Sequence, residues 1–282
     1  MCLPVLQQCR QARNSTDQNA KACLIGMMLA SEGTSNATDI NIQNTTTSTT
    51  TSTTDTSKQL TDREIVDNIK IFLFAGHDST ASTILWTLYL LAVYPEHIVP
   101  IRKEMELFGQ RPTSGSEFYD FLKSGMPYLH NVLKEVLRLY PPAWAINRAP
   151  KKDLVLGGYT IPKGTSIMIN TLRMHRREDL GWERPLEFIP ERWNHEENHY
   201  SKASFTYLPF GGGPRTCVGQ PLAEIEMLTV ISSIVQTFDL VLIAGNDSKA
   251  SCDIDYFAGA TIRPKNISNL RLKLRTVNVI SK

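Results

Sequence analysis

The chain has little that would tie it to a membrane, a metal cluster or a nucleic acid. None of its 282 residues belong to a run of about 18 apolar residues, and the segment Met1–Ala12 carries Gln and Arg where a secretory leader needs an apolar centre. The expectation is a chain with no transmembrane segment that is not secreted. Five cysteines, Cys2, Cys9, Cys23, Cys217 and Cys252, stand at irregular spacings with no C-x-x-C, which excludes a zinc knuckle and a disulfide framework. Thirty basic residues face 28 acidic ones with no dense Lys/Arg block, so a nucleic-acid partner has no electrostatic basis. Without a leader, the N-x-S/T triplets at Asn14, Asn36, Asn44, Asn246 and Asn266 read as chance matches. Internal repeats are absent.

What is present divides the chain into three. Residues 1–30 form an N-terminal segment with a short helix expected at about Ala20–Ala30. Residues 31–60 include an unbroken Ser/Thr run, Thr45 to Thr54, which cannot bury enough surface to offset its ordering entropy and reads as a disordered loop. Residues 61–282 carry the core. Thr61-Asp-Arg-Glu64 is a capping box, and the helix it opens runs to Tyr94 before Pro95, on the order of 50 Å. Its centre, Ala75-Gly76-His77-Asp78-Ser79-Thr80, is polar inside an apolar helix; a functional patch and a solvated bend both account for that. Helices are also expected at Glu96–Phe108, Met126–Tyr140 and Pro221–Phe238, short β segments between Asp153 and Asn170, and an edge strand at Asn269–Thr276. The fold class is therefore mainly α with a small β region (α+β).

The chemistry concentrates in Phe210-Gly-Gly-Gly-Pro-Arg-Thr-Cys217-Val-Gly219, which runs directly into a helix that Pro221 can initiate. Backbone N–H groups and the positive helix end favour a thiolate there, and glycines let backbone approach a flat object. A phosphate cradle would need the G-x-x-x-x-G-K-[ST] lysine, and an inert buried cysteine is the plainest alternative.

At these residues the sequence resembles the cytochrome P450 family. Phe210, Gly213, Arg215, Cys217 and Gly219 match the haem-binding signature F-x-x-G-x-R-x-C-x-G at every fixed position. Ala75-Gly76-His77-Asp78-Ser79 follows A-G-x-D-[TS], Glu135-Val-Leu-Arg138 follows E-x-x-R, and Phe188-Ile-Pro-Glu-Arg192-Trp193 follows F-x-P-E-R-[FW], all in the family's order. The style, including the hydrophilic insertion, resembles fungal members, many of which act in secondary metabolism or hydrocarbon oxidation. The chain resembles the C-terminal portion of the family's fold, from the helix before the long central helix onward, without the N-terminal part.

The resemblance implies haem b (iron protoporphyrin IX) as cofactor, Cys217 as its metal ligand, and Arg148 and Arg215 on its propionates. It places Phe210 beneath the sulfur and puts Ala75 and Gly76 on the helix beside the haem. It implies a proton relay through Asp78 and Ser79, with Thr80 as a second hydroxyl, and a structural Glu135–Arg138–Arg192 cluster. The implied reaction is monooxygenation of an apolar small molecule, with candidate lining at Phe74, Ala75, Ala143–Ile146 and Ala258–Thr261. Electrons would come from NADPH through the flavins of a separate NADPH-cytochrome P450 reductase. A full-length relative would sit on the cytoplasmic side of the endoplasmic reticulum membrane, although this chain carries no anchor. An O2-independent isomerase or dehydratase of the same fold, and an inactive truncated fragment, are the competing readings.

Overall fold

The computed structural model describes residues 61–107, 115–194, 205–243, 254–265 and 267–275. The expected helix before residue 30, the Ser/Thr-rich loop, the N-x-S/T triplets and every cysteine except Cys217 lie outside them. The chain divides into two units, Met1–Ala75 and Gly76–Lys282.

In the first unit the described residues are the opening turns of α1, Asp62–Val93. Its capping box forms reciprocally: the Thr61 N–H donates to Glu64 Oε2 at 2.8 Å and the Glu64 N–H donates to Thr61 Oγ1 at 3.3 Å. Ile71, Leu73 and Phe74 are exposed on these turns.

In the second unit the last turns of α1 are mostly apolar and buried accordingly, with Trp86, Leu88, Tyr89, Leu90 and Leu91 out of solvent. Pro95 ends it in a tight turn, and α2 follows at Ile98–Leu107. Next come α3, Gly115–Ser124, and α4, Pro127–Leu139. Glu104 on α2 satisfies the first turn of α4, accepting from the N–H groups of Tyr128 at 2.6 Å and Leu129 at 3.2 Å. A further long helix, α6, covers Gln220–Thr237, after a single-turn α5 at Thr171–Met174. The core lies between these helices: Trp86, Ile101, Val132, Val136, Ile231 and Val235 are fully buried. The Trp86 ring stacks on Tyr140 with centroids 3.6 Å apart.

Among the described residues, four two-stranded antiparallel sheets complete the unit. Strand β1 (Ile146–Arg148) pairs with β4 (Ile167–Ile169), and β2 (Leu154–Leu156) pairs with β3 (Tyr159–Ile161). The β2–β3 turn is Gly157-Gly158, whose φ angles of 57° and 85° suit a two-residue hairpin that a side chain would strain. Strand β5 (Phe238–Leu242) runs straight on from α6 and pairs with β8 (Leu270–Leu274), while β6 (Tyr256–Ala258) and β7 (Ile262–Pro264) form a hairpin. One atom of that hairpin holds two side chains of α1: the Ile262 carbonyl accepts from Ser82 Oγ and from Trp86 Nε1. The result is mainly α with a small β region, and no single described helix is long and apolar enough to cross a membrane.

Candidate functional site

The cysteine loop is shaped by its backbone. Leu208 O accepts the Gly211 N–H at 3.1 Å, and Gly211 and Gly213 adopt φ of 76° and 71°, a left-handed conformation that favours glycine. Thr216 then returns both its N–H and its hydroxyl to the Gly213 carbonyl, and the Cys217 N–H donates to the Phe210 carbonyl at 2.9 Å. These bonds deliver Cys217, with an exposed side chain, three residues before α6 begins at Gln220. A Cβ on Gly219 would stand 3.9 Å from the Cys217 sulfur, so glycine keeps that side of the sulfur clear. Phe210 is partly buried against the core, and a cavity of about 290 Å3 opens beside the loop between Tyr207, Leu208, Phe210, Thr216 and Gln220.

The two candidate propionate ligands have cationic groups to offer. Arg148 is exposed and donates only to the carbonyl of its neighbour Asn147, and Arg215 is exposed with no hydrogen bond or ion pair among the described residues. A soft, accessible sulfur, a glycine loop that leaves room for a planar group, and two guanidiniums without an acid partner fit a haem and its carboxylates.

On α1, Ala75 and Gly76 are exposed, and a Cβ on Gly76 would meet nothing within 4 Å. Asp78 is engaged: it accepts from Thr261 Oγ1 at 2.7 Å and forms an ion pair with Arg263. Both partners come from the β6–β7 hairpin, about one turn of α1 before the Ser82 and Trp86 contacts to the same hairpin. The Ser79 carbonyl accepts from Thr83 Oγ1 at 3.1 Å, and the buried Thr80 hydroxyl has no hydrogen-bond partner among the described residues.

Glu135 and Arg138 face one another across a helical turn on α4, and both side chains are fully buried. Arg138 uses all five of its N–H groups: two on Glu135, the others on the carbonyls of His175, Pro185 and Glu187. Glu135 accepts in addition from Arg192 Nε at 2.9 Å, from the Ile189 N–H and from Trp193 Nε1. Trp193 stands in the F-x-P-E-R-[FW] match without a role assigned to it, whereas the Ile189 N–H and the three carbonyls are backbone groups, which leave no signature in sequence.

Another residue without a sequence signal is His175, the C-cap of α5, which is fully buried inside the very basic run Arg173–Arg177. Its Nε2 accepts the Leu208 N–H at 2.8 Å. Burial, with Arg138 and Arg176 nearby, lowers its pKa from 6.5 to about 3. A base whose folded pKa is depressed stabilises the fold fully above its unfolded pKa, and that stability is lost as pH falls through 6.5 toward 3. Stability to denaturant should therefore fall by up to about 1.4 kcal/mol per pH unit as pH drops below 6.5, and His175→Gln should flatten that slope. Parallel slopes in the two chains would remove His175 as the cause.

The sequence profile of the cytochrome P450 family matches residues 3–268. Cytochrome P450 3A2 of Rattus norvegicus is 39% identical over 181 residues, covering 64% of this chain and 35% of the rat protein. Lithocholate 6-beta-hydroxylase of Mesocricetus auratus is 39% identical over 185 residues, covering 65% and 35% of the two chains. The plant 11-oxo-beta-amyrin 30-oxidase of Medicago truncatula is 36% identical over 184 residues, covering 65% and 34%. The chain thus spans about a third of the length of these curated relatives. With a profile match across most of its length, and an exposed cysteine presented by a glycine loop at a helix mouth, this chain belongs to the cytochrome P450 family.

Proposed function

We propose that residues 61–282 are the haem-carrying core of a monooxygenase that takes one atom of O2 into an apolar organic substrate and releases the other as water. The two electrons come from NADPH through a separate flavin-containing reductase, which puts this chemistry on the cytoplasmic side of the endoplasmic reticulum membrane. The observation that carries the reading is Cys217, whose sulfur is exposed just ahead of α6 while its N–H closes the loop onto Phe210. Haem b held there supplies O2 activation, with Cys217 Sγ on the iron and Arg148 and Arg215 on the propionates.

The chain's own residues bind and move protons. Ser79 Oγ passes on a proton and recovers one from solvent by way of the Asp78 carboxylate, which Thr261 and Arg263 hold in one orientation. Thr80 adds a buried hydroxyl without a partner among the described residues. Glu135, Arg138 and Arg192 keep the chain before the cysteine loop in place. The segments Ala143–Ile146 and Ala258–Thr261 favour an apolar ligand. Two relatives named for oxidising lithocholate and 11-oxo-beta-amyrin support a bulky one.

The test is a carbon monoxide difference spectrum of the reduced, haem-loaded chain. A long-wavelength Soret band supports thiolate ligation, and bound haem without that band overturns it. For the relay, Ser79→Ala should bind haem normally yet lower product formed per NADPH consumed by about tenfold or more, with peroxide rising in step. Ser79→Thr should hold or improve the ratio, since its methyl restricts the hydroxyl to fewer rotamers. An unchanged ratio in a Ser79→Ala/Thr80→Ala double variant would remove the hydroxyl relay and favour the O2-independent reading.

A further inference from the structure

We propose that His175 is a positioning residue that seats the cysteine loop on the Glu135–Arg138 cluster, by accepting the Leu208 N–H at Nε2 while its own carbonyl accepts from Arg138. The inference rests on Cys217 being the haem ligand. His175 is the residue common to both bonds, and each is short, 2.9 Å to Arg138 Nη1 and 2.8 Å from Leu208 N.

Three observations give the imidazole this task. Accepting at Nε2 requires a lone pair there, so the ring is neutral with its proton on Nδ1. That Nδ1 is buried beside the backbone of Arg138 and Leu137 without a hydrogen bond of full geometry among the described residues, so the ring's well-formed bond is the one at Nε2. Burial also holds the ring far from protonation near neutrality, which preserves the acceptor.

The bond leads directly to the cysteine. Leu208 O takes the Gly211 N–H, and the Phe210 carbonyl takes the Cys217 N–H. The Leu208 side chain also lies so close to Gly212 that a Cβ there would come within 3.2 Å of its Cδ2. A shift of Leu208 therefore moves the turn whose next carbonyl anchors Cys217. The Tyr207 ring, 5.3 Å from the imidazole, packs on the same side and limits where His175 can go.

The experiment uses the full chain, with and without haem, and the variants His175→Leu and His175→Gln. Gln can place an oxygen acceptor near the position of Nε2, and Leu cannot accept at all. In the haem-free chain, amide exchange at Leu208 should be about tenfold or more faster in His175→Leu and within about twofold of the parent in His175→Gln. In the haem-loaded chain, His175→Leu should lose at least about half of the long-wavelength carbon monoxide band at equal haem content, and His175→Gln should restore it. Nitrogen NMR of the unsubstituted chain should find Nε2 bare and Nδ1 protonated at neutral pH. A proton on Nε2, unchanged exchange in His175→Leu, or a folded His175→Gln that behaves like an exchange-deprotected chain would each overturn the proposal. Should His175→Leu fail to fold, the Gln variant and the tautomer decide it. Should the unsubstituted chain lack the long-wavelength band, the haem-ligand reading fails, whereas the exchange and tautomer results still decide whether His175 holds the loop.

Discussion

Cys217→Ala should abolish the long-wavelength Soret band of the reduced carbon monoxide complex altogether. The effect is all or none because no other residue from Phe210 to Gly219 offers a soft anionic donor. Misfolding will not be the explanation. The Cys217 side chain is exposed, and the loop is closed by the Cys217 backbone N–H, which alanine keeps. Stability in denaturant should accordingly stay within about 0.5 kcal/mol of the parent. Cys217→His offers a neutral nitrogen instead and should keep some haem with a globin-like or peroxidase-like spectrum and no monooxygenation. A thiolate-type band surviving in Cys217→Ala would mean that another sulfur holds the iron.

The elements that could be read from sequence are those whose cause is local. The capping box at Thr61 and Glu64 forms with the reciprocal bonds its spacing calls for, and Pro95 and Pro127 bound their helices where the missing N–H predicts. Glu135 and Arg138 stand i,i+3 on a helix apolar on several sides, which favours burial of the pair, and both side chains have no exposure. What sequence did not show depends on distant partners. Strands β1, β6 and β7 are three residues each, too short for alternation to register, and β5 continues α6 without any turn signal. Helix α3 at Gly115–Ser124 was not among the expected elements, although Phe118, Phe121 and Leu122 stand at helical spacing. Asp78 meets Arg263 after 185 residues of chain, and His175 sits among arginines that suggest a solvated surface. In both cases the tertiary fold, not the local pattern, sets the environment.

The position of the cysteine therefore depends on a core it does not touch. Arg138 gathers three carbonyls from the segment between His175 and Glu187, and Glu135 gathers Ile189, Arg192 and Trp193 just beyond it. One buried pair thus holds an irregular stretch with few backbone bonds of its own. Trp182 beneath the Arg138 guanidinium, 5.1 Å from it, closes the pair off from water.

Glu135→Ala should consequently destabilise the chain by about 3 to 5 kcal/mol, because it leaves Arg138 buried with an uncompensated charge and removes the carboxylate that accepts from Arg192 Nε, Trp193 Nε1 and the Ile189 N–H. Against a typical total of about 5 to 15 kcal/mol, that loss removes most or all of the folded population. Arg138→Ala should do as much from the other side, leaving the Glu135 carboxylate buried and releasing the carbonyls of His175, Pro185 and Glu187. Arg138→Lys keeps the charge yet offers three donors in place of five, so it should fall between Ala and the parent. Glu135→Gln keeps the shape and one acceptor oxygen, and should also be intermediate. Folded yield and the denaturant midpoint of the four variants provide the measurement. If Glu135→Ala reached the parental midpoint and merely lowered turnover, the cluster would belong to the chemistry rather than to the scaffold.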